Sequence, residues 1–367
     1  MACSFTLLYV RLPPRNITLD YLRVLCTALI VCIHSSGLDV SRALGSACST
    51  QTLTWAFVKL LLGMAVPPFF MMSGAFMLNK DIQDVFQFYK KSYGRLLPWS
   101  IFFFFVASVF QILNHAYNSG TNIWDTDFIA HYIRWFTYGG SGVLWFIFAL
   151  MGLYLITPVL IFIRKRTSLV SFCIITLITL LATRHILCNA LQADYASYPI
   201  NWFKGMFFIG HYMLGYCIYE ICKRHKNRIL NAYTTAGALL LFLLVNTFIA
   251  STQLTQGFDF SINAQSAVNI FSSALMFALF NLTRLPDTRL VSYIASISLI
   301  IYLSHNYLSL PIFRFFLNWT GIWDTLFRTS ILFNLVNYII AFAISVIFAH
   351  FLNKAALLVK RKRPAAF

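Results

Sequence analysis

Charge is scarce in this chain. Only 11 % of its residues are Asp, Glu, Lys or Arg, against about a quarter in soluble domains, and the acidic ones number just 11. With 59 % hydrophobic content and a mean hydropathy of +0.72, this excludes an ordinary soluble domain and leaves a polytopic membrane protein. The eight cysteines form no C-x-x-C and no Cys/His run with zinc spacing, so neither a metal site nor a disulfide framework is expected. Cys26, Cys32, Cys173 and Cys217 lie inside apolar runs and read as small buried apolar residues. No basic region precedes the apolar segment Ala2–Val10 and no small-x-small site follows it, which favours a retained first helix over a cleaved signal. No stretch reads as a soluble domain, and no internal repeat is visible.

Long apolar runs are what the chain has instead. Ten spans are expected, at about 19–38, 55–78, 97–113, 143–163, 168–188, 202–221, 229–250, 265–283, 290–312 and 330–352, each near the roughly 20 residues needed to cross a bilayer. The fold class is therefore an all-α polytopic membrane protein. A ten-helix domain over 18–353 is expected between a short N-terminal segment, 1–17, and a basic tail, 354–367. The 37 Phe and 18 Tyr suit lipid-facing and interfacial surfaces.

The net charge of +17 does not point to nucleic acid, because the cations alternate from loop to loop. Twenty of the 28 basic residues fall on one side of the ten spans, in Arg11 and Arg15, the loops holding Lys80 to Arg95, Arg164–Arg166, Lys223–Arg228 and Arg284–Arg289, and the tail from Lys354 to Arg363. Opposite loops hold only Arg42, Arg134, Arg184, Lys204, Arg314 and Arg328. The positive-inside rule then places both termini in the cytoplasm, with the Lys360–Arg363 run beside anionic lipids. The non-cytoplasmic stretch from Asn114 to Gly142 carries Asp125, Asp127, His131 and Arg134. It reads either as a loop lying on the membrane or as a segment that meets a substrate.

The first span carries three ionisable groups, Asp20, Arg23 and His34, each costly inside a bilayer unless it faces a partner, a cavity or a substrate path. Arg23 and His34 stand 11 positions apart, which at about 100° per residue returns to nearly the same helical face, roughly 16 Å along the axis. Asp20 lies where an i,i+3 pair with Arg23 can form. An imidazole here can serve as interhelical hydrogen-bonder or as functional group, and the shared stripe favours function.

Other motifs admit similar pairs of readings. Pro67-Pro68 before Phe69-Phe70-Met71-Met72-Ser73-Gly74 kinks a span and frees backbone carbonyls, as packing or as the wall of a cavity. Lys90, Lys91 and Arg95 serve the positive-inside bias, or attract a polyanion through the Arg fork. Leu144-Trp145-Phe146 opens the fourth span, which continues to Tyr154 and Pro158; His211 and the Tyr302-Leu303-Ser304-His305 segment follow. Trp145 sits where an aromatic anchor belongs.

These elements together resemble the acyltransferase 3 family: Asp20-x-x-Arg23 with His34 beyond it, the FFMMSG segment, Arg95-x-x-Pro98, LWF at 144–146 and the YLSH segment. The likeness covers about residues 16–352 and is greatest to the enterobacterial common antigen O-acetyltransferase type. It implies a ten-span inner-membrane protein of bacteria that moves acyl groups, usually acetyl, onto sugar hydroxyls of cell-surface glycans or their lipid-linked precursors. It further implies acetyl-coenzyme A as cytoplasmic donor, Arg23 and His34 as essential residues, and Arg95 as part of the donor-side basic motif. Many members carry a second Arg three residues before the position of Arg95; Ser92 stands here, with Lys90 and Lys91 beside it as substitute cations. Ser73, Trp145 and His305 are the further side chains expected in the pocket. His34 is expected to act as general base toward an acceptor hydroxyl or as a covalent acyl relay. The rival from another class is a glycolipid flippase or small-solute transporter, for which discontinuous helices would speak.

Overall fold

The computed structural model describes residues 16–35, 49–119, 129–130, 133, 143–192, 207–224, 227–255, 266–313 and 331–362. The N-terminal Arg11 and Arg15, the acidic and His/Arg positions of the 114–142 stretch, and Arg363 lie outside them. Among the described residues the structure is helical, with no strand.

In chain order the helices are α1 (Ile17–Ser35), α2 (Thr50–Gly63), α3 (Pro67–Met77), α4 (Val85–Ser119), α5 (Leu144–Arg166) and α6 (Leu169–Gln192). They continue with α7 (Ile209–Arg224), α8 (Arg228–Thr255), α9 (Ala267–Leu282), α10 (Arg289–Ser304), a π-helical turn (His305–Ser309) and α11 (Ile331–Lys362). A helix stands at each of the ten expected places. Among the described residues seven segments are long and apolar enough to cross a membrane, while Leu169–Thr183 of α6 and the whole of α9 are shorter apolar helices. The protein is an all-helical integral membrane protein.

Local chemistry sets the ends. Ser49, Ser168 and Ser266 accept hydrogen bonds from the third backbone N–H that follows each, at 3.2, 3.1 and 3.2 Å, and Asp84 accepts from the N–H groups of Phe86 and Gln87 at the start of α4. These satisfy donors that the first helical turn leaves orphaned.

The second expected span is two helices rather than one kinked rod. Pro67 and Pro68 take the first two positions of α3, where a missing N–H costs nothing, but the same residues cannot continue α2. The chain breaks at Met64–Val66, and the Ser273 hydroxyl of α9 donates to the freed Met64 carbonyl at 3.4 Å.

The outer surface is apolar: Leu155, Val159 and Phe162 of α5 are each more than half exposed, a lipid-facing stripe at i, i+4, i+7. Inside, buried hydroxyls and amides join helices. Thr157 and Tyr212 share a hydrogen bond of 2.8 Å, as do Ser309 and Ser345, and Asn337 of α11 donates to the Ser35 carbonyl of α1 at 3.1 Å. The closest helix approach joins α3 to α7. A Cβ placed on Gly74 would stand 1.7 Å from the Tyr212 carbonyl oxygen, and one on Gly215 would stand 2.0 Å from that of Met71. Only glycine allows backbones to meet this way.

Candidate active site

The site grows from α1. Near its start Asp20 is buried and accepts from the Arg23 guanidinium at 3.1 Å, the i,i+3 pair that the spacing predicts. Thr27 caps the Arg23 carbonyl at 2.7 Å. Arg23 acts electrostatically on Tyr154 of α5, and so does Arg95 of α4; the Ser73 hydroxyl of α3 lies within hydrogen-bonding reach of the same phenol. Tyr154 is buried, at 7 % exposure. One phenol thus stands beside the Ser73 hydroxyl and within the electrostatic reach of Arg23 and Arg95. Sequence reading passed over Tyr154 as part of a Tyr/Pro motif, since nothing in its spacing tells that α5 turns it toward α1 and α3.

α4 is held against α5 by two other phenols: Tyr89 donates to the Leu155 carbonyl at 2.7 Å and Tyr93 to that of Met151 at 2.8 Å. This sets the exposed side chains of Lys90, Lys91 and Arg95 beside the loop that follows α3. A cavity of about 640 Å³ opens there, lined by Lys80, Asp81, Phe88, Lys90, Lys91 and Ser92 among others. Ser92, which stands where the resemblance expects an Arg, is buried.

Lys80 is held below the ordinary lysine range, first by desolvation and then by the charges of Arg95 and Lys91. Its ammonium contacts the Met77 sulfur at 2.9 Å and lies 5.7 Å from the centre of the Phe88 ring. Asp81 is exposed and is held below the usual carboxylate range by its hydrogen bond and ion pair with Lys165 at the end of α5. Lys80, Lys90 and Lys91 thus line one cavity together with Asp81, which is paired with Lys165, and Asp84, which caps α4, and the cations in excess leave a field suited to a polyanion.

The other end of α1 carries His34. Its ring centre lies 5.1 Å from that of His305, which is fully buried at the start of the π turn. His305 Nδ1 is hydrogen-bonded to the Tyr302 carbonyl. The Tyr302 ring packs 5.8 Å from His305 and 5.0 Å from Phe146 of α5, and its hydroxyl donates to the Val143 carbonyl at 2.7 Å. Arg23 is thus linked to α5 through the field it exerts at Tyr154, and His34 through His305 and Tyr302.

Trp145 is half-buried at the same end of α5. It sits in an aromatic cluster with Phe70 at 6.4 Å and Phe208 at 5.4 Å, and Phe208 in turn packs against the buried His211 at 5.3 Å. Among the described residues no group of three His, Cys, Asp or Glu could hold a metal ion.

The site residues expected from sequence thus fall into three neighbourhoods. Lys90 and Lys91 line the cavity, and Arg95 stands near enough for its charge to act on Lys80 within it. Asp20 pairs with Arg23, whose charge acts on Tyr154 beside Ser73. His34 and His305 pair at the far end, with Trp145 in the aromatic wall of α5. A family model described as an acyltransferase domain matches residues 16–352. No curated protein and no solved structure matches the chain.

Proposed function

The chain belongs to that family of acyltransferases, acyltransferase 3, and on this premise we propose that it is an O-acyltransferase of the bacterial inner membrane. In this reading it moves an acetyl group from cytoplasmic acetyl-coenzyme A to a sugar hydroxyl of a cell-surface glycan or its lipid-linked precursor. The resemblance to the enterobacterial common antigen type suggests the class of acceptor. Ten spans with both termini cytoplasmic is the topology that goes with it, and it would put the basic cavity on the donor side.

One observation carries the reading: at one end of α1 the half-buried His34 lies against the fully buried His305, while Arg23 toward the other end acts electrostatically on Tyr154 together with Arg95, which stands beside a basic cavity. The phosphates of the donor would meet Lys80, Lys90, Lys91 and Arg95, with the forked guanidinium the natural partner. The neutral pantetheine arm would extend past Arg23 and Tyr154 toward His34.

The thioester is already activated, so the protein has mainly to position it and move one proton. The acceptor hydroxyl attacks the thioester carbonyl and its proton passes to His34. An ester C–O bond forms and the C–S bond breaks. Coenzyme A leaves as the thiol, taking the proton that His34 gained. Positioned proton transfer of this kind contributes about 10²- to 10⁴-fold. In the covalent variant His34 carries the acyl group itself before passing it on.

The test uses purified protein, radiolabelled acetyl-coenzyme A and a total envelope glycan extract. Coenzyme A release that depends on the extract is expected, and His34→Ala is expected to abolish it while the protein still inserts and elutes as a folded species. Robust transfer by well-folded His34→Ala would refute both variants. Label retained on wild-type protein given the donor alone would favour the covalent one.

The break between α2 and α3 is the observation that favours a second reading, since discontinuous helices are common in carriers. Movement of labelled glycolipid across vesicles without coenzyme A release would decide for a transporter.

A further inference from the structure

We infer that His305 is the acceptor that orients His34 and receives a hydrogen bond from its charged ring, so that the site works through a pair of imidazoles; this rests on the acyl-transfer reading above. The hydrogen bond from Nδ1 to the Tyr302 carbonyl makes that nitrogen the N–H donor and leaves Nε2 with a bare lone pair. Nε2 is sealed from solvent and has no hydrogen-bond partner among the described residues. Buried acceptors are seldom left so, and each one calls for a reason.

The neighbouring ring supplies the reason. An N–H···N bond of about 2.9 Å between two imidazole edges puts their centres roughly 5 Å apart, and the two ring centres stand at 5.1 Å with a tilt of 45°. The separation of the rings is therefore the one at which His34 can donate to Nε2.

The backbone is shaped to hold His305 there. The π turn begins at this residue, its carbonyl accepting from the Leu310 N–H five positions on and from the Ser309 hydroxyl at 3.3 Å, while Ser309 is itself tied to Ser345 of α11. Such single wide turns inside α-helices occur frequently at functional sites.

The chemistry follows. Once His34 takes the acceptor's proton it is a half-buried cation within the helix bundle, which is costly unless it is hydrogen-bonded. Nε2 offers that bond while consuming no proton of its own, and His34 later returns the proton to the departing thiolate. Before the reaction the same contact would fix which His34 nitrogen faces the acceptor. His305 is thus a positioning residue, acting through His34.

The test compares His305→Leu and His305→Gln in the full-length protein, using acetyl-coenzyme A with the envelope glycan extract, together with ¹⁵N spectra of histidine-labelled wild type. Expected are a kcat about 100-fold lower in His305→Leu with KM for acetyl-coenzyme A unchanged, and recovery of at least about a tenth of wild-type kcat in His305→Gln, whose side-chain oxygen restores an acceptor. The spectra are expected to show His305 as the fixed Nδ1–H tautomer, joined to His34 by an N–H···N coupling. A folded His305→Leu with wild-type kcat, a folded His305→Gln as inactive as His305→Leu, or spectra without that coupling would each overturn the inference. If wild type releases no coenzyme A, the acyl-transfer reading fails, and the spectra alone then decide whether the imidazole pair exists.

Discussion

At the scale of single residues, the groups that matter are costly ones placed where they gain a partner. Asp20 and Arg23 were legible from spacing alone, because three residues on a helix bring side chains together whatever surrounds them. The influence of Arg23 on Tyr154 and the contact of His34 with His305 were not, since only tertiary packing decides which helix lies near which.

Lys80 gives a prediction at this scale. Its folded-state value lies below the ordinary lysine value through desolvation and the charges of Arg95 and Lys91. Between the two values the unfolded chain binds more protons than the folded one, so this group makes stability rise with pH across that window. Anion binding has the opposite sign, because a phosphate favours the protonated ammonium. Affinity for coenzyme A is expected to hold below the lowered value and to fall as pH rises through it. Titration calorimetry from neutral to alkaline pH should show that limb in wild type and a flatter one in Lys80→Gln; identical limbs in the two proteins would remove Lys80 from the donor site.

At the scale of elements, hydropathy located the apolar part of each helix among the described residues, because twenty-residue apolar runs admit few other structures in a bilayer, but it missed the polar extensions of α4 back to Val85 and of α11 on to Lys362. The prolines announced an irregularity in the second span, though as a kink; two in succession start a new helix instead. The π turn left no trace in the sequence, its cause being a contact from His305 back to its own helix and braces from α11.

Glycines separate the helix contacts from the free surfaces. Gly74→Ala and Gly215→Ala each drive a methyl into a backbone carbonyl, and each is expected to cost at least about 2 kcal/mol. Gly94→Ala and Gly237→Ala meet nothing within 4 Å and are expected to be neutral or to gain up to about 1 kcal/mol of helix stability. Thermal melts of the four purified variants in one detergent check this, and equal losses in all four would contradict the close approach of α3 to α7.

At the scale of the whole molecule, orientation is the reading that charge supplies and packing does not. The basic side chains gathered in alternate loops call for both termini in the cytoplasm. Reporter fusions after Arg166 and at the C-terminus are expected to be active only with a cytoplasmic reporter, and fusions placed in the 114–142 stretch only with a periplasmic one. The reverse pattern would move the basic cavity to the wrong face for coenzyme A.

α11 reaches both imidazole-bearing segments at once. Asn337 grips the last carbonyl of α1, next to His34, and Ser345, farther along the same rod, grips the turn that His305 opens. The gap between the two rings is therefore gauged by a helix to which neither belongs. Whatever touches α11 from outside therefore bears on both imidazoles while touching neither.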